Sequence, residues 1–309
     1  MGIARQPSVV TMPPEETRFA TVLDFLTDRF PVISEAGWRQ RLVEKKVHWD
    51  CGTAIEVDAA YAPYQRVFYF REVENEPVIP FQEDILFQDD ELLVACKPHF
   101  LPVTPGGKYV QECLMNRLRR RTGIETLTPI HRIDRETAGI VLFSVNPSTR
   151  SQYHDLFVNS RISKTYQAVA HLPESREFMS LDNRNWSVKN RIASGCIASG
   201  QPKFRMTITE GQPNAHSIIH SIETRNSLGL FQLHPITGKR HQLRLHMASL
   251  GFPLVNDRFY PELQDESADD FSSPLQLLAK QVDFADPVSG RNRSFVSERK
   301  LNWQAAANS

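Results

Sequence analysis

Residues 131–143 read HRIDRETAGIVLF, a polar segment that runs directly into an apolar one. The apolar residues from Gly139 to Val145 are continuous, which predicts a buried strand. Asp134 would then lie in a loop that leads into a rigid strand, a common support for a working side chain. Arg132 and Arg135 stand on either side of this aspartate and would favour its ionised form, which a nucleophile or base requires. A turn aspartate that caps a neighbouring amide would explain the same local features equally well.

A second informative segment, residues 235–246, reads PITGKRHQLRLH. It leads into a helix predicted from Arg240 to Leu250, which Gly251 would end. Lys239 and Arg240 would stand at the helix start, where free backbone amides already favour an anion. Cations are unfavourable there unless a phosphate or carboxylate compensates them, so the segment indicates an anionic partner. A solvated basic turn fits the same residues.

Two further segments offer contacts for a nucleic acid. Lys164-Thr165-Tyr166 begins a predicted strand, and its tyrosine ring could stack on a base, although a tyrosine packed in the core is the commoner case. A cluster of arginines could bind phosphates or form a solvated face. The cluster comprises Arg117, Arg119, Arg120 and Arg121.

The composition gives no global sign of a nucleic-acid partner, because 36 Lys and Arg balance 36 Asp and Glu. Any RNA-binding surface must come from local clusters of cations. The cysteines form no C-x-x-C pair, which argues against a zinc knuckle or a disulfide framework and favours reduced thiols in a cytoplasmic protein. They are Cys51, Cys96, Cys113 and Cys196. The N-terminus lacks the apolar stretch of a signal peptide, and no apolar run reaches the ~18 residues of a membrane span.

The sequence predicts four parts. Residues 1–18 contain three prolines and are expected to form a flexible tail. Residues 19–73 are expected to form a small module of two helices and short strands. Residues 74–83 contain two prolines and are typical of a linker. Residues 84–309 are expected to form a larger α+β domain.

Within these parts, hydrophobic periodicity and turn residues predict individual elements. The small module should contain a helix with its apolar face between Phe19 and Phe30, a helix from Ser34 to about Lys45, and strands at Val47–Trp49 and Ile55–Val57. The larger domain should contain strands at Ile85–Phe87, Leu92–Ala95, Thr165–Ala170 and Leu228–His234, and a helix that starts at Asn146-Pro147.

Four segments, taken in order, resemble the motifs of the RluA-type pseudouridine synthases. QDDELLVACKP at 88–98 resembles D-x-x-L-[IV]-V-x-N-K-P, and HRIDRETAG at 131–139 resembles H-R-L-D-x-x-T-S-G. KTY at 164–166 resembles K-x-Y, and TGKRHQLRLH at 237–246 resembles T-G-R-x-H-Q-[IL]-R-x-H. The resemblance extends over roughly residues 84–297.

The resemblance implies an α+β fold with a pseudouridine synthase catalytic domain, built on a mixed, mainly antiparallel sheet with flanking helices. It also implies a small N-terminal α/β RNA-binding module, although that part of the sequence is divergent. The expected activity is isomerisation of specific uridines to pseudouridine in structured RNA, either 23S ribosomal RNA or transfer RNA. The expected mechanism uses base flipping and an aspartate, without a metal or an organic cofactor. RNA is the expected partner of a cytoplasmic monomer that does not bind membranes.

Residue by residue, the resemblance makes Asp134 the catalytic aspartate. Tyr166 would stack on the target base, and Arg244 would pair with Asp134 and hold its charge and orientation. Arg132 would contact RNA and help fill the space that the flipped nucleotide leaves. Further substrate contacts are expected from Lys164, Lys239, Arg240 and His241. The chain departs from the family pattern at three positions: Ala138 replaces Ser, Lys239 replaces Arg, and Leu278 stands where many members have His.

Two other hypotheses compete with this one. A catalytically silent RNA-binding protein could use the same fold, and the departures at Ala138 and Leu278 favour it. A hydrolase or a metal-dependent enzyme could be built around His131, Asp134, His241 and His246. The spacing disfavours a helical metal pair, because His241 and His246 are five residues apart rather than four.

Overall fold

The computed structural model describes residues 2–3, 7–14, 18–73, 75–173, 183–194, 205–265 and 267–303. Cys196 lies outside these residues. The chain forms two compact units, Met1–Pro77 with Pro105–Gln111 and Val78–Thr104 with Glu112–Ser309. In the part of the chain that the structure describes, no helix is long and apolar enough to cross a membrane.

The first unit contains two helices and short strands. They are β1 (Gly2–Ile3), β2 (Ser8–Thr11), α1 (Val22–Arg29), α2 (Glu35–Val43), β3 (Val47–Trp49), β4 (Arg66–Tyr69) and β5 (Glu72–Val73). Strands β2, β4 and β3 form a three-stranded sheet in that order, and β1 pairs with β5. Both predicted helices are present, and Ser34 caps α2 by accepting a hydrogen bond from the Gly37 backbone nitrogen at 3.2 Å.

Two expectations for the first unit are wrong. Residues 8–11 do not belong to a tail but form β2, because Val9 and Val10 pair with β4 in an antiparallel ladder. The strand predicted at Ile55–Val57 does not form, and the preceding residue, Ala54, makes only an isolated bridge with His48. Strand β3 pairs instead with β4, nearly twenty residues further along the chain, so a long-range pairing replaced the local hairpin.

The second unit contains the remaining elements. They are β6 (Asp84–Gln88), β7 (Leu92–Lys97), α3 (Leu114–Thr122), β8 (Thr128–Pro129), β9 (Ala138–Ser144), α4 (Arg150–Val158), β10 (Ile162–His171), β11 (Asn185–Ser194), β12 (Met206–Thr209), β13 (Ala215–Arg225), β14 (Leu228–Pro235), α5 (Gln242–Ser249), β15 (Leu277–Ala285) and β16 (Asn292–Val296).

These strands form one sheet in the order β12-β11-β13-β14-β10-β15-β9-β7-β6, with β16 paired to β15 and β8 to β9. The β9–β15 pair is parallel, and the other recorded pairs among the described strands are antiparallel. The α+β class and the mixed, mainly antiparallel sheet predicted from the sequence are therefore confirmed. Helix α5 packs on this sheet, where Leu243 and Met247 join the cluster around Phe231.

The parallel pair joins the two halves of the sheet at Gly139. Ala138 and Gly139 lie opposite Leu278 and Ala279, and Gly139 has a φ of +114°. A Cβ atom at Gly139 would overlap the carbonyl oxygen of Ala279. Only glycine meets both requirements here, the backbone conformation and the close approach of the two strands. The glycine therefore fixes where the loop from residue 131 enters the sheet.

Two helix starts differ from the sequence-based expectation. Helix α4 begins at Arg150 and not at Asn146-Pro147, because the Asn146 side chain accepts from the Ser148 backbone nitrogen and so holds a turn ahead of the helix. Helix α5 begins at Gln242 rather than Arg240, because His241 adopts a left-handed conformation with φ 54° at the N-cap position. The preceding residues consequently form a turn outside the helix.

Candidate active site

The loop that carries Asp134 connects β8 to β9 and is closed by a turn. The Thr137 backbone nitrogen donates to the Asp134 carbonyl oxygen at 3.2 Å. Strand β9, which follows, is buried at every residue, so the loop rests on a rigid support. Asp134 keeps 24% of its side-chain surface exposed and can meet a ligand.

Two side chains at and just after the end of β7 hold the backbone of this loop. Lys97 is fully buried, and its ammonium donates to the carbonyl oxygens of Pro98 (3.0 Å), Leu101 (2.7 Å) and Arg135 (2.9 Å). The Nδ1 atom of His99 lies 2.7 Å from the Glu136 carbonyl oxygen and must be the donor in that hydrogen bond. The two residues that follow Asp134 in the chain, Arg135 and Glu136, are thus tied to the end of β7.

Arg244 on α5 lies between Asp134 and a second aspartate. Its Nη1 atom is 3.4 Å from Asp134 Oδ2, and its Nε and Nη2 atoms are 2.8 and 2.5 Å from the two carboxylate oxygens of Asp257. Nη1 also lies 3.8 Å from Glu136 Oε2. The sequence predicted the pairing with Asp134, whereas Asp257 is the closer, bidentate partner. Arg244 therefore presents one nitrogen to the loop while Asp257 holds the rest of the guanidinium.

The electrostatics of this cluster keep Arg244 charged. Burial alone would lower the pKa of Arg244, but the hydrogen bonds that Arg244 donates to Asp257 and the charges of Asp257, Asp134 and Glu136 more than offset it and raise the pKa. The guanidinium also lies 4.6 Å from the centre of the Phe259 ring, a cation–π distance. A charged, oriented donor consequently faces the Asp134 carboxylate.

Tyr166 reaches the same site from β10. The ladder between β10 and β15 shifts register between Thr165 and Tyr166, and such bulges often re-aim a side chain beside an active site. Burial, and secondarily the negative charge of Asp134, raises the pKa of Tyr166. Its ring stays a neutral, partly buried surface that packs on the core cluster of the sheet. The structure thus brings Asp134, Arg244 and Tyr166 together from three separate parts of the chain.

The architecture and the motifs agree with the comparisons to known proteins. A sequence model of the family described as RNA pseudouridylate synthase matches residues 91–249. The chain belongs to this family of isomerases. The synthase is 30% identical over 217 residues to the dual-specificity RNA pseudouridine synthase RluA of Pasteurella multocida, over 69% of this chain and 91% of that one. It is 29% identical to tRNA pseudouridine synthase C of Vibrio vulnificus, over 72% of this chain and 92% of that one.

A solved structure supports the fold. The human RNA pseudouridylate synthase domain containing 1 superposes with a TM-score of 0.57 at 20% identity, over 73% of this chain and 86% of that chain. The RluA-type resemblance and the catalytic-domain fold predicted from the sequence are therefore confirmed, and the synthase is an RNA pseudouridine synthase.

His241 is a further side chain of the synthase that faces Asp134. Its Nε2 atom lies 3.9 Å from Asp134 Oδ2, and its side chain is 3% exposed. Its Nδ1 atom lies 2.9 Å from the Tyr260 hydroxyl. Burial, followed by the positive charges of Arg244 and Arg240, lowers the pKa of His241 to about 3. The imidazole is therefore neutral at physiological pH.

Three predicted substrate-binding cations are exposed: Arg132, Lys239 and Arg240. None of their side chains takes part in an ion pair or hydrogen bond with another residue that the structure describes. Lys164 is more enclosed, and burial lowers its pKa. The turn that carries Lys239 is held by Gln242, whose Oε1 accepts from the Lys239 backbone nitrogen at 3.0 Å. The cations thus project from a fixed backbone.

Several arginines do not have the role that the sequence suggested. Arg135 does not face Asp134; its guanidinium binds both carboxylate oxygens of Asp269 at 2.8 and 2.9 Å. Arg119 is buried and donates to the Leu127 carbonyl oxygen at 3.1 and 2.8 Å, so it ties α3 to the segment that follows it and does not face solvent. Arg117 donates to the Ile79 and Phe81 carbonyl oxygens. These arginines anchor neighbouring segments because carbonyls and carboxylates surround them.

The histidine cluster considered for a metal site is not assembled by the described part of the chain, which contains no group of three His, Cys, Asp or Glu that could hold a metal. His131 instead accepts a hydrogen bond from the Leu142 backbone nitrogen at 3.1 Å and stacks on Phe157. The histidine of this motif therefore fastens the loop of Asp134 to β9.

Sequence reasoning missed three residues of the site: Asp257, Lys97 and Tyr260. Asp257 follows Asn256, whose φ is +62°, and its Oδ1 accepts from the backbone nitrogens of Phe259 and Tyr260 at 2.9 and 3.2 Å. An Asn-Asp pair before two aromatic residues could have indicated such a turn, but nothing local shows that it reaches Arg244. Lys97 lies in the motif-like segment 88–98, but only its burial and its hydrogen bond to the Arg135 carbonyl oxygen show that it holds the loop of Asp134.

Proposed function

We propose that the synthase converts specific uridines of a structured RNA, ribosomal or transfer RNA, into pseudouridine by a mechanism that depends on Asp134 and uses no metal or organic cofactor. The observation that carries the proposal is the position of Asp134, 3.4 Å from a buried arginine, in a chain of this family. The relatives support both classes of RNA, since one is named for transfer RNA and another for dual specificity.

The reaction exchanges two bonds at the ribose. The bond from C1′ to N1 of uracil breaks, the uracil turns, and C1′ bonds to C5, while C5 loses a proton and N1 gains one. Asp134 would either attack the sugar or remove a proton from it, and both roles need an ionised carboxylate. Arg244 would hold that carboxylate in its orientation. An arginine partner suits an isomerisation, whereas most glycosidases pair two carboxylates for net hydrolysis.

The uridine has to leave its stack before Asp134 can reach the sugar. We propose that the exposed Arg132 contacts the RNA and helps fill the space that the flipped nucleotide leaves. The Tyr166 ring would stack on the flipped base, because every base offers a flat face to an aromatic side chain. Lys164, Lys239 and Arg240 would bind phosphates, and His241 would contact the substrate. The synthase would work on this RNA as a cytoplasmic monomer.

Pseudouridine mapping tests the proposal. RNA from cells that lack the protein should lose one or more pseudouridines, and wild-type protein should restore them. Asp134→Asn should not restore them, whereas Asp155→Asn, at an exposed aspartate of α4, should. Restoration by Asp134→Asn would contradict the catalytic role. An unchanged map together with RNA binding by the purified protein would favour the catalytically silent alternative.

A further inference from the structure

His241 stands in a conformation that side chains rarely adopt. Its φ of 54° and ψ of 16° place it in the left-handed region at the start of α5. This backbone geometry turns the imidazole away from the helix and towards the loop of Asp134, where Nε2 lies 3.9 Å from Oδ2. Sparsely populated conformations of this kind cluster at functional sites.

The contacts of Tyr260 determine which imidazole nitrogen carries the proton. The Tyr260 hydroxyl accepts from the Met206 backbone nitrogen at 2.9 Å and donates its single proton to the Met206 carbonyl oxygen at 3.1 Å. With one proton and two lone pairs, the hydroxyl satisfies all three contacts when His241 Nδ1, 2.9 Å away, donates to it. The neutral imidazole consequently has a bare Nε2, whose lone pair is directed towards the site.

A bare Nε2 and a carboxylate oxygen are both acceptors, and two acceptors 3.9 Å apart do not bind each other. Within the described ranges no donor hydrogen-bonds to Nε2 of His241. Glu136 and Asp257 add further negative charge around the ring, and Arg244 is committed to Asp257, Asp134 and Glu136. A ligand bound beside Asp134 can supply the donor that the imidazole lacks.

An internal uridine of an RNA strand has two such donors, because its 3′ and 5′ oxygens are esterified: the ribose 2′-hydroxyl and the N3–H of uracil. Asp134 acts at the ribose in either version of the reaction. The 2′-hydroxyl is one bond from C2′ and two from C1′, whereas N3 lies on the uracil ring beyond N1. An acceptor beside Asp134 is therefore placed for the 2′-hydroxyl.

We propose that His241 Nε2 accepts a hydrogen bond from the 2′-hydroxyl of the target uridine and makes the site select a ribonucleotide over a deoxyribonucleotide. The inference rests on the proposed function, since it needs the ribose beside Asp134. The 2′-hydroxyl is the group by which a protein distinguishes RNA from DNA at one position. Tyr260 is the positioning residue, because it fixes the tautomer and leaves Nε2 free to accept.

The tautomer can be measured on the full chain without RNA. Long-range ¹H–¹⁵N correlation spectra, with His241 assigned by its loss in His241→Asn, should show the proton on Nδ1 in the wild type. Tyr260→Phe removes the hydroxyl and should shift the signal towards the Nε2–H form or a mixture. A wild-type signal from an Nε2–H tautomer would overturn the inference.

The selectivity can be measured with two stem–loop oligonucleotides that carry the mapped uridine, one all-ribose and one with 2′-deoxyuridine at that position alone. Wild type should convert the all-ribose RNA about tenfold faster in single turnover than the deoxy form, in line with one hydrogen bond. His241→Asn, which tolerates the left-handed backbone, should convert the all-ribose RNA about tenfold more slowly than wild type and distinguish the two RNAs less than about threefold.

Undiminished discrimination by His241→Asn would overturn the inference while leaving the proposed function intact. A different pair of results would also overturn the inference: equal conversion rates for the all-ribose and 2′-deoxyuridine RNAs, together with loss of conversion when the target is N3-methyluridine. Those results would assign the Nε2 hydrogen bond to the uracil N3–H. Absence of conversion of the all-ribose RNA by wild type would refute the proposed function and the inference with it.

Discussion

Arg244 and Asp257 form a buried bidentate ion pair, with both side chains 1% exposed and with nitrogen–oxygen distances of 2.8 and 2.5 Å. Fork-to-fork pairs of this kind fix the plane of a guanidinium as well as its charge. The remaining nitrogen of Arg244 is thereby directed at Asp134. The orientation of the candidate catalytic pair therefore depends on a residue that touches neither the loop of Asp134 nor, in our proposal, the RNA.

Asp257→Asn tests this dependence. The amide keeps the shape but loses the charge, so Arg244 loses its closest counter-charge and its fixed plane. We expect kcat to fall at least tenfold with little change in RNA affinity, and the free energy of unfolding to fall by about 3 kcal/mol. Single-turnover conversion, RNA titration and urea unfolding would measure the three quantities.

Asp269→Asn, which breaks the bidentate pair with Arg135, serves as the control and should lower kcat less. Equal losses in the two variants would contradict the role of Asp257.

Tyr166 gives a second test, because its ring and its hydroxyl can be separated. If the flat ring is the main requirement, Tyr166→Phe should retain most of the activity while Tyr166→Ala loses at least tenfold, as expected for the loss of one stacked base. The rates of pseudouridine formation under single-turnover conditions would compare them. Equal losses in the two variants would show that the hydroxyl matters and stacking does not.

Lys97 tests whether the loop of Asp134 depends on its backbone contacts. Burial lowers the pKa of Lys97 to about 7, while three carbonyl acceptors use all three protons of the charged ammonium. Lys97→Met leaves those carbonyls without a partner, and we expect the free energy of unfolding to fall by about 3 kcal/mol. Because one of the carbonyls belongs to Arg135, kcat should fall as well.

A second lysine provides the control for Lys97. Lys280, on β15, also donates to carbonyl oxygens, those of Ser297 (2.5 Å) and Arg299 (3.3 Å), and neither of these two residues belongs to the loop of Asp134. Lys280→Met should reduce stability and leave kcat close to the wild-type value. If the two variants lost activity in proportion to stability, Lys97 would have no positioning role.

Local patterns in the sequence were sufficient to predict some elements of the fold. Continuous apolar runs located β7 and β9, and the cap at Ser34 located α2, because both signals lie within the segment itself. The prediction of a strand at Ile55–Val57 was wrong, because β3 pairs with β4, which lies further along the chain. Pairing partners of a sheet are chosen by burial and register, which no short window contains.

Only part of the candidate site could be predicted, because some of its contacts join segments that are distant in the sequence. Asp134, Tyr166 and Arg244 were found because they lie in motifs that the resemblance could match. Asp257 lies outside those motifs, and its contact with Arg244 depends on the turn after Asn256. The orientation of His241 depends on a left-handed backbone, which the sequence pattern did not suggest. The motifs therefore supplied the side chains that we propose meet the RNA, whereas the residues that orient them could be recognised only in the fold.

Gly139 tests the junction of the two halves of the sheet. Gly139 and Gly290 both have a positive φ, +114° and +71°, so alanine is strained at either position. A Cβ at Gly139 would also overlap the Ala279 carbonyl oxygen, whereas one at Gly290 meets nothing within 4 Å.

Gly290→Ala should lower the free energy of unfolding by about 1 kcal/mol. Gly139→Ala should lower it several times more or prevent folding, as measured by urea unfolding or soluble yield. Similar losses would show that backbone strain, not the close approach, sets the requirement.

Acid sensitivity follows from four histidines that are held neutral. Burial is the largest cause in each case, and it lowers the pKa of His131 and His241 to about 3 and of His99 and His246 to about 4. The unfolded chain binds a proton at each below about 6.5. Between about pH 4 and pH 6.5 the unfolded state therefore holds up to four more protons, so stability falls as the pH falls through that window. Above about pH 7.5, where the unfolded histidines have also lost their protons, these residues should contribute almost no slope.

His246→Leu isolates one of these protons. His246 is fully buried, neither of its ring nitrogens has a hydrogen-bond partner among the described residues, and the neighbouring His216 lowers its pKa further after burial. Leucine removes the titrating group without breaking a hydrogen bond. The slope of unfolding free energy against pH, from urea midpoints between pH 4.5 and 6.5, should fall by about one proton, and the variant should resist acid better than wild type. An unaltered slope in His246→Leu would mean that His246 is not held neutral by its burial.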